Sequence, residues 1–235
     1  MALGLDSDGP NHNSGSGGTS QTLSVTCHAG SLLLMFVQLN IAGSSPLSVT
    51  GISGGGLAWA KLGAVTAGTN PAADFELWWA YSSGAQSGAT VTISFSGTAA
   101  EWVFSCQGFT GAVTSGNPFD ADSAITPYSS SGTGTLGTVV VSTVNATTWI
   151  ITAIASGSSS ANSASTGTQI DAANTGSGAY YAAVATQYNS ETSPQSGLSC
   201  KLNSGVSAPY LMLGAALVPA ATPNTIHSAD CSVGF

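Results

Sequence analysis

Residues 89–95 read Ala-Thr-Val-Thr-Ile-Ser-Phe, and this stretch gives the clearest indication of the fold. Its apolar residues Val91, Ile93 and Phe95 are separated from one another by single hydroxyl-bearing residues. A period of two is typical of a β-strand that presents one face to a core and the other to water. We therefore predict a strand here, with these three side chains buried and the hydroxyl residues facing outward.

Further runs rich in β-branched and aromatic residues occur on both sides of this strand, separated by clusters of Gly, Ser, Asn and Pro. They are residues 22–27, 32–40, 75–81, 101–109, 137–144, 149–155, 180–188, 197–202 and 209–217. No window of ten or more residues has a helical period. The pattern predicts an all-β protein, specifically an antiparallel β-sandwich of jelly-roll-like form.

The alternation in residues 75–81 also predicts the direction in which one polar and one amphipathic side chain point. Phe75 and Leu77 belong to the inward face, so Glu76 and Trp78 are predicted to face outward. Glu76 is then a solvated strand residue, and Trp78 is either a partner contact or a side chain covered by a loop.

An internal repeat is indicated because residues 21–112 and 138–220 can be laid over each other. With a shift of 117, residues 28–34 fall on 145–151, and with a shift of 107 the alternating run 91–95 falls on Leu198, Cys200 and Leu202. We predict an N-terminal Gly/Ser-rich arm at 1–20, a β-sandwich at 21–220 and a C-terminal tail at 221–235. Within the sandwich, a connector at 113–137 joins the repeats. One sandwich is favoured over two, because each half alone has few large residues to bury.

The composition excludes several functions. Ser, Ala, Gly and Thr supply 127 of 235 residues, only 5% of residues are charged, and two lysines stand against ten acids for a net charge of −8. Such a chain lacks the cations that nucleic acids and anionic membranes require. The longest apolar run, residues 179–185, is far too short to span a bilayer, and the first residues lack the features of a secretion signal. We expect the chain to be made and kept in a cytoplasm.

Cysteine placement agrees with a reducing compartment. Cys27, Cys106 and Cys200 occupy inward positions of predicted strands, where a thiol packs as a small apolar group. We expect buried free thiols rather than disulfides, with no bond between Cys27 and Cys106. The state of Cys231, in the polar tail, is left open.

Candidate catalytic residues are few. The histidines are His12, His28 and His227, of which only His28 lies outside the terminal segments. It is interpreted as a turn residue, since no acid is near it in sequence and no Gly-x-Ser-x-Gly motif is present. Glu76 and Glu101 could form a glycosidase pair only if the fold brought them together. We predict no enzyme activity, no catalytic residues and no cofactor site.

Two Asp-x-Asp pairs could offer oxygen ligands to calcium. They are Asp6 with Asp8, and Asp120 with Asp122. Neither stretch has the further ligands of an EF-hand loop, so Asx turns are favoured and no metal site is predicted, with calcium binding left open.

An ordered set of sequence segments resembles a family of duplicated β-sandwich structural proteins of tailed bacteriophages. The segments are a Leu-Asp-Ser arm, TLSVTCHAGSLLLMFVQL, SVTGISGGGLAWAKLG, ELWWAYSSGAQSGATVTISFSG, FTGAVTSGNPFDADS and LMLGAALVPA, which together span about residues 3–220. The tail after Ala220 departs from the pattern of the family, whose chains often stop there.

The resemblance implies a non-enzymatic virion protein, foremost a capsid decoration (cement) protein that binds the outer surface of a protein shell through its termini. A tail or head-fibre component and a cell-surface glycan-binding module are the alternatives. The expected partners are the major capsid protein or other virion proteins and further copies of the chain, with no nucleic acid and no membrane. The predicted contact residues are Leu3, Leu5, Trp78, Ile226 and Phe235.

Overall fold

The computed structural model describes residues 2–68, 72–114, 116–121, 128–158, 160–176 and 180–220, and these residues form an all-β, antiparallel, sandwich-like structure without helices. The described residues therefore contain no helix that could cross a membrane. Their strands are β1 Gly4–Leu5, β2 Asn11–Ser16, β3 Ser20–Cys27, β4 Ser31–Ile41, β5 Val49–Gly54, β6 Ala60–Ala67, β7 Ala72–Ser82, β8 Gln86–Phe95, β9 Glu101–Thr110, β10 Tyr128–Val141, β11 Thr148–Ser156, β12 Ser163–Ala164, β13 Thr168–Asn174, β14 Ala183–Glu191 and β15 Leu198–Leu217.

Sheet I has the strand order β1-β9-β4-β7-β6, and β2 also pairs with β9. Its central strand β4 is buried at ten consecutive positions, Ser31 to Asn40. Burial without alternation means that other layers cover both faces of the sheet. The prediction that Glu76 faces solvent is therefore wrong: Glu76 does lie opposite to Phe75 and Leu77, but that second face is covered and Glu76 is fully buried.

Sheet II covers one face of sheet I and has the strand order β3-β8-β5. Val91, Ile93 and Phe95 point inward from β8, with exposed fractions of 0%, 0% and 6%, which confirms the alternation predicted from residues 89–95. They pack with Met35 and Phe104 of sheet I. We refer to this layer of contacts as the first-half core.

Sheet III has the strand order β10-β15-β11-β14-β13, and β12 also pairs with β15. The long pair β10–β15 is irregular at one point, where the register jumps from Gly134↔Ala208 to Leu136↔Asn203 and Gly205 has a φ of +75°. Extra residues on one strand bend a β-ladder. Beyond this bend the pair folds over the outer face of sheet III and forms the second-half core, whose members include Val139, Val141, Cys200, Leu202, Ile150, Ile154 and Met212.

A third core, the central core, lies between sheets I and III. Phe36, Phe75 and Phe109 contribute to it from sheet I, and Ile151 and Leu213 from sheet III. The layers are thus sheet II, sheet I, sheet III and the folded-over end of β10–β15. Each half has a core of its own in addition to the shared one.

The two halves of the chain, residues 2–114 and 116–220, pair their strands in the same order. The order β9-β4-β7-β6 of sheet I corresponds to β15-β11-β14-β13 of sheet III. The two sequence repeats and the jelly-roll form remain predictions.

The N-terminal segment belongs to the fold. β1 and β2 lie antiparallel along the edge of β9, with Leu5 opposite Phe109 and His12 opposite Ser105. Residues 4–16 therefore complete sheet I, although their Gly- and Ser-rich sequence indicated an arm. Residues 221–235, including Ile226, His227, Cys231 and Phe235, lie outside the described residues.

The cysteine prediction is confirmed for the three described residues. Cys27, Cys106 and Cys200 are buried free thiols. Burial raises the pKa of all three, that of Cys200 to about 12, so these groups remain protonated and pack as apolar side chains.

Candidate functional site

Asp6 collects hydrogen bonds from several segments, and we call this arrangement the Asp6 hub. It follows β1, and its side chain is almost completely buried. Oδ1 accepts from the backbone N–H of Asp8 at 3.0 Å and lies 2.7 Å from Nδ1 of His28. Oδ2 accepts from the backbone N–H of His28 at 2.8 Å and from the hydroxyl of Ser31. The Asx turn predicted for residues 5–11 is confirmed at Asp6, and the hub joins it to the turn between β3 and β4.

The hub perturbs the ionisation of both of its titratable partners. Burial alone would raise the pKa of Asp6, but the donors from Ser31, His28 and Asp8 outweigh it and hold the pKa at about 2. The pKa of His28 is raised by its hydrogen bond to Asp6 and by the charges of Asp8 and Asp6. Asp8 contributes because its Oδ2 lies 3.2 Å from Nδ1 of His28. The result is an ion pair at the surface end of a buried carboxylate.

The same three residues form a candidate metal cluster. One ligand atom each from Asp6, Asp8 and His28 lie within 4.8 Å of one another. Carboxylates and imidazole suit a divalent cation. Both oxygens of Asp6 and Nδ1 of His28 are, however, already engaged within the chain, so hydrogen bonding accounts for the cluster without an ion.

A second hub occupies the corresponding place in the other half. Oδ1 of Asp120 accepts the backbone N–H of Val144 at 3.0 Å, and Oδ2 accepts the backbone N–H of Asn145 at 3.0 Å and its Nδ2 at 2.8 Å. The N–H of Asp120 donates to Ala216, as the N–H of Asp6 donates to Gly108, each at 2.8 Å. Asp122, the other acid of this pair, lies outside the described residues.

A third hub, at Asp171, links the two halves directly. Asp171 lies on β13 of the second half, where Oδ1 is 3.0 Å from Nδ1 of His12 and Oδ2 accepts the hydroxyl of Ser105 at 2.7 Å. In a Ser-His-Asp site the histidine stands between the serine and the acid. Here, as in the Asp6 hub, the carboxylate stands between the other two, so neither serine is activated by a base.

The hydrogen bonds between acid and histidine in these hubs were not predicted from the sequence. Asp6 and His28 are separated by 22 residues, and His12 and Asp171 by 159. They meet because β1 and β2 add to the edge of β9 and because sheet III packs on sheet I. A search for acids near each histidine in sequence could not find them.

A buried charged cluster lies between sheets I and II. Oε1 of Glu76 accepts the N–H of Val49 at 3.0 Å and pairs with Nζ of Lys61 at 2.8 Å, while Oε2 accepts Nε1 of Trp78 at 2.7 Å. Burial, then the hydrogen bond and charge of Glu76, raise the pKa of the neighbouring Asp74 to about 9. Asp74 is thus a neutral acid beside an ion pair. Glu101 is on the opposite face of sheet I, so the glycosidase-type pair with Glu76 does not form.

The predicted contact residues differ in their exposure. Leu3 is 8% exposed and packs in the central core, and Trp78 is 9% exposed in the first-half core. Leu5 is 37% exposed. Ile226 and Phe235 are not described. Packing within the chain explains the apolar character of Leu3 and Trp78 without a partner, and the contact role of all five remains a prediction.

Leu136 and Val140, which are 40% and 53% exposed on the outward face of β10, are called the exposed strip. Val144, which follows β10, and Val206 on β15 are 58% and 40% exposed. Val139 and Val141 point to the other face of β10, into the second-half core. The sequence run Gly-Thr-Val-Val-Val concealed this alternation, because all three valines look alike.

A cavity of about 520 Å³ lies between sheets I and III at the end of β4. Its polar lining is Gln38, Asn40, Ser131, Thr133, Ser156 and Tyr210, and the remaining wall consists of alanine, glycine, proline and leucine. Oε1 of Gln38 is buried without a hydrogen-bond partner. Seven other buried side-chain polar atoms of the described residues share this status, among them Oε2 of Glu101 and Nε1 of Trp102.

No family model, curated protein or solved structure matches this chain.

Proposed function

We propose that the protein is a non-enzymatic structural component of a phage particle, with decoration of the capsid surface as its specific role. The observation that carries the non-enzymatic part is the use of the Asp6 and Asp171 hubs. In both, Asp, His and Ser tie segments of the fold together, and the acid is the shared acceptor. These are the groups from which a hydrolase would build its site, and here they serve as cross-links.

The surface supports a protein as the partner. Charged residues are only 5% of the chain, and the exposed strip at Leu136 and Val140 lies on the folded-over layer, farthest from sheet II. Apolar side chains on a polar, weakly charged surface favour association with another protein through packing. Such binding should depend little on salt, because exposed ion pairs contribute little to it.

The N-terminal segment has a structural role in the fold. Residues 4–16 form two strands of sheet I, and Asp6 anchors them, so deleting residues 1–20 would damage the sheet as well as any tether. We propose the exposed strip and the segment after Ala220 as the attachment elements. The proposed partner is the major capsid protein. Further copies of the chain are a second expected partner, and light scattering would measure this self-association.

The decisive experiment is mass spectrometry of purified particles, followed by antibody labelling to locate the protein on shell or tail. We expect a stoichiometric shell component, and tail labelling would replace decoration by the tail or head-fibre alternative. Recovery only as free protein with hydrolytic activity on a glycan would overturn the proposal.

Surface variants locate the contact. Val140→Asp combined with Leu136→Asp should lower occupancy on particles at least about tenfold, because charge is introduced into a packed apolar contact. Thr90→Asp, an exposed change on the outer face of sheet II, is the matched control and should bind normally. A chain ending at Ala220 tests the tail separately. Wild-type occupancy of both the strip variant and the shortened chain would contradict the proposed attachment.

A further inference from the structure

The buried charged cluster between sheets I and II has a chemistry that the proposed virion role does not use. We propose that it is a self-modification site, in which Nζ of Lys61 and Cδ of Glu76 join in an amide bond and release one water molecule. The product is an intramolecular isopeptide cross-link between β6, an edge strand of sheet I, and its neighbour β7. This inference is independent of the virion role.

The first step is the contact between the nucleophile and the acyl group. Nζ of Lys61 lies 2.8 Å from Oε1 of Glu76, so the nitrogen is already beside the carboxyl carbon that carries this oxygen. Strand pairing holds the two residues there, because Lys61 lies opposite Trp78, two residues from Glu76 along β7. Reacting groups that a fold holds in contact have effective concentrations of up to about 10⁵–10⁸ M. The two strands therefore supply the positioning that amide formation lacks in free solution.

The second step is the burial of the carboxylate. The Glu76 side chain has no exposed surface, and the Lys61 side chain is 37% exposed. Removing two charges from water is costly, and the attraction within a buried ion pair often fails to offset that cost. Transfer of a proton from Nζ to Oε1 gives a neutral amine and a neutral acid, and the amide is also uncharged. Burial therefore favours both the reactive form of the pair and its product.

The third step is the activation of the carboxyl group by its donors. The N–H of Val49 donates to Oε1 at 3.0 Å, and Nε1 of Trp78 donates to Oε2 at 2.7 Å. Attack on Cδ develops negative charge on the carboxyl oxygens, and donors already aimed at these oxygens stabilise that charge. Asp74 is a neutral acid hydrogen-bonded to Glu76, so it has a proton to lend.

The atoms balance without a co-reactant. The lone pair of the Lys61 nitrogen forms the bond to Cδ, and the bond from Cδ to Oε1 breaks. Of the three protons on the Lys61 ammonium group, one stays on the amide nitrogen and two leave with Oε1 as water. Asp74 relays a proton from nitrogen to oxygen and ends protonated, as it began. The ion pair between Lys61 and Glu76 is the reactant of this step.

The test uses the full chain and exploits its scarcity of lysine. Lys61 and Lys201 are the only sites for trypsin, since the chain has no arginine. Trypsin does not cut at a lysine whose Nζ is acylated, because the charge is lost. We expect the denatured chain to be cut after Lys201 but not after Lys61, with a mass about 18 Da below that of the sequence, which is one water molecule. Cutting at both lysines, together with the full mass of the sequence, would overturn the proposal.

Variants connect the loss of water to this pair. Lys61→Arg keeps the positive charge, but a guanidinium group that stays protonated is not a nucleophile, so the full mass and the cut after position 61 should return. Glu101→Gln changes a buried carboxyl on the opposite face of sheet I and is the matched control, which should keep the loss of water. Thermal melting confirms folding, and if Lys61→Arg does not fold, the wild-type mass and digest still decide. A loss of water that persists in Lys61→Arg would contradict the site.

Two further measurements assign the roles within the cluster. Fragmentation of the branched chymotryptic peptide should place the bond at Glu76, and a bond at Asp74 would overturn the choice of acyl group. Asp74→Asn keeps a neutral side chain of similar size but removes the acidic proton. During cell-free synthesis, cross-linked chains of this variant should appear at least about tenfold more slowly than those of the wild type. An unchanged rate would contradict the proton-relay role of Asp74.

Discussion

The first and second halves of the molecule pair their strands in the same order but build their outer layers differently. In the first half, β8 and β9 are separate strands, and a distinct sheet II covers sheet I. In the second half, the single 20-residue strand β15 serves both layers by bending at Gly205. Pairing order and layer construction are therefore separable. In the second half, a bend at a glycine with a left-handed backbone conformation carries the chain from one layer to the next. In the first half, the loop at residues 96–100 does the same.

The cores differ in the size of matched side chains. Phe36 on β4 pairs with Leu77 and Ser105, and Ala153 on β11 pairs with Thr186 and Leu213 at the corresponding register. A phenylalanine on one side of the central core thus corresponds to an alanine on the other. Large and small residues in facing layers are what dense packing requires. The first half supplies the larger share of buried aromatic volume.

The hubs differ in one titratable group. Asp6 is bound by the backbone and ring of His28, and Asp120 by the backbone and amide of Asn145. The sequence alignment already places His28 over Asn145. The Asp6 hub therefore contains a titratable ring where the Asp120 hub contains an uncharged amide.

The largest loss of stability should come from removing an aromatic side chain from the central core. Phe36→Ala makes the first half resemble the second at this position and should lower the free energy of unfolding by about 3–5 kcal/mol, because a cavity is left between two sheets. Urea unfolding measures it, with Thr90→Ala on the exposed face as a control expected to change it by less than about 0.5 kcal/mol. A loss below about 1 kcal/mol would show that the sheets collapse onto the smaller side chain.

The second-largest loss of stability should come from removing the central carboxylate of a hub. Asp6→Ala leaves four donors without their acceptor and should cost about 3 kcal/mol, whereas the less buried Asp120→Ala should cost about 1–2 kcal/mol. Both are measured by urea unfolding at pH 7. Asp8→Asn, at the exposed end of the Asp6 hub, is the control and should cost less than either. Equal losses at Asp6 and Asp120 would contradict the difference in burial.

Asp74→Asn should stabilise the protein at high pH. The pKa of Asp74 is raised to about 9 in the folded chain, so folding takes up a proton and the stability contributed by the neutral acid is complete below about pH 4 and lost as pH rises through 9. Asparagine is neutral throughout. We expect a gain of about 1–2 kcal/mol at pH 8.5, shrinking toward pH 5, in thermal or urea unfolding. A destabilised variant at pH 8.5 would show that Asp74 is ionised in the fold.

The smallest change in stability should come from replacing the histidine of the Asp6 hub with the asparagine found in the Asp120 hub. The pKa of His28 is raised, so its contribution is complete below about pH 6.5 and declines as pH rises through the folded value. In His28→Asn the amide can donate to Asp6 as Asn145 donates to Asp120. We expect normal folding and a flatter urea midpoint between pH 5.5 and 8.5. The loss of stability at low pH, which follows protonation of Asp6 with its pKa of about 2, should remain. An unchanged pH profile would assign the dependence to another group.

The sequence predicted the strand faces well where one side of a strand is apolar. Val91, Ile93 and Phe95 are buried as the alternation required, and Cys200 and Leu202 are buried on β15. It failed where a sheet is covered on both faces. Glu76 looked solvated because its neighbours alternate, and only the packing of sheet II shows that it is enclosed with Lys61 and Trp78.

The candidate site was less predictable than the fold. Gln38 sits in the apolar run 32–40, where nothing distinguishes a satisfied amide from one with a free acceptor. The Asp6 and Asp171 hubs require strand neighbours that are far apart in the chain.

The all-β class, the inward faces of several strands and the lack of charge follow from the sequence alone, since periodicity and composition are local properties that need no partner. Tertiary packing was needed to show which faces receive a second layer, which histidine meets which acid, and that a cavity opens between the halves. These depend on the packing of sheet on sheet and on edge pairing by β1 and β2, and the energies concerned arise between residues tens to more than a hundred positions apart.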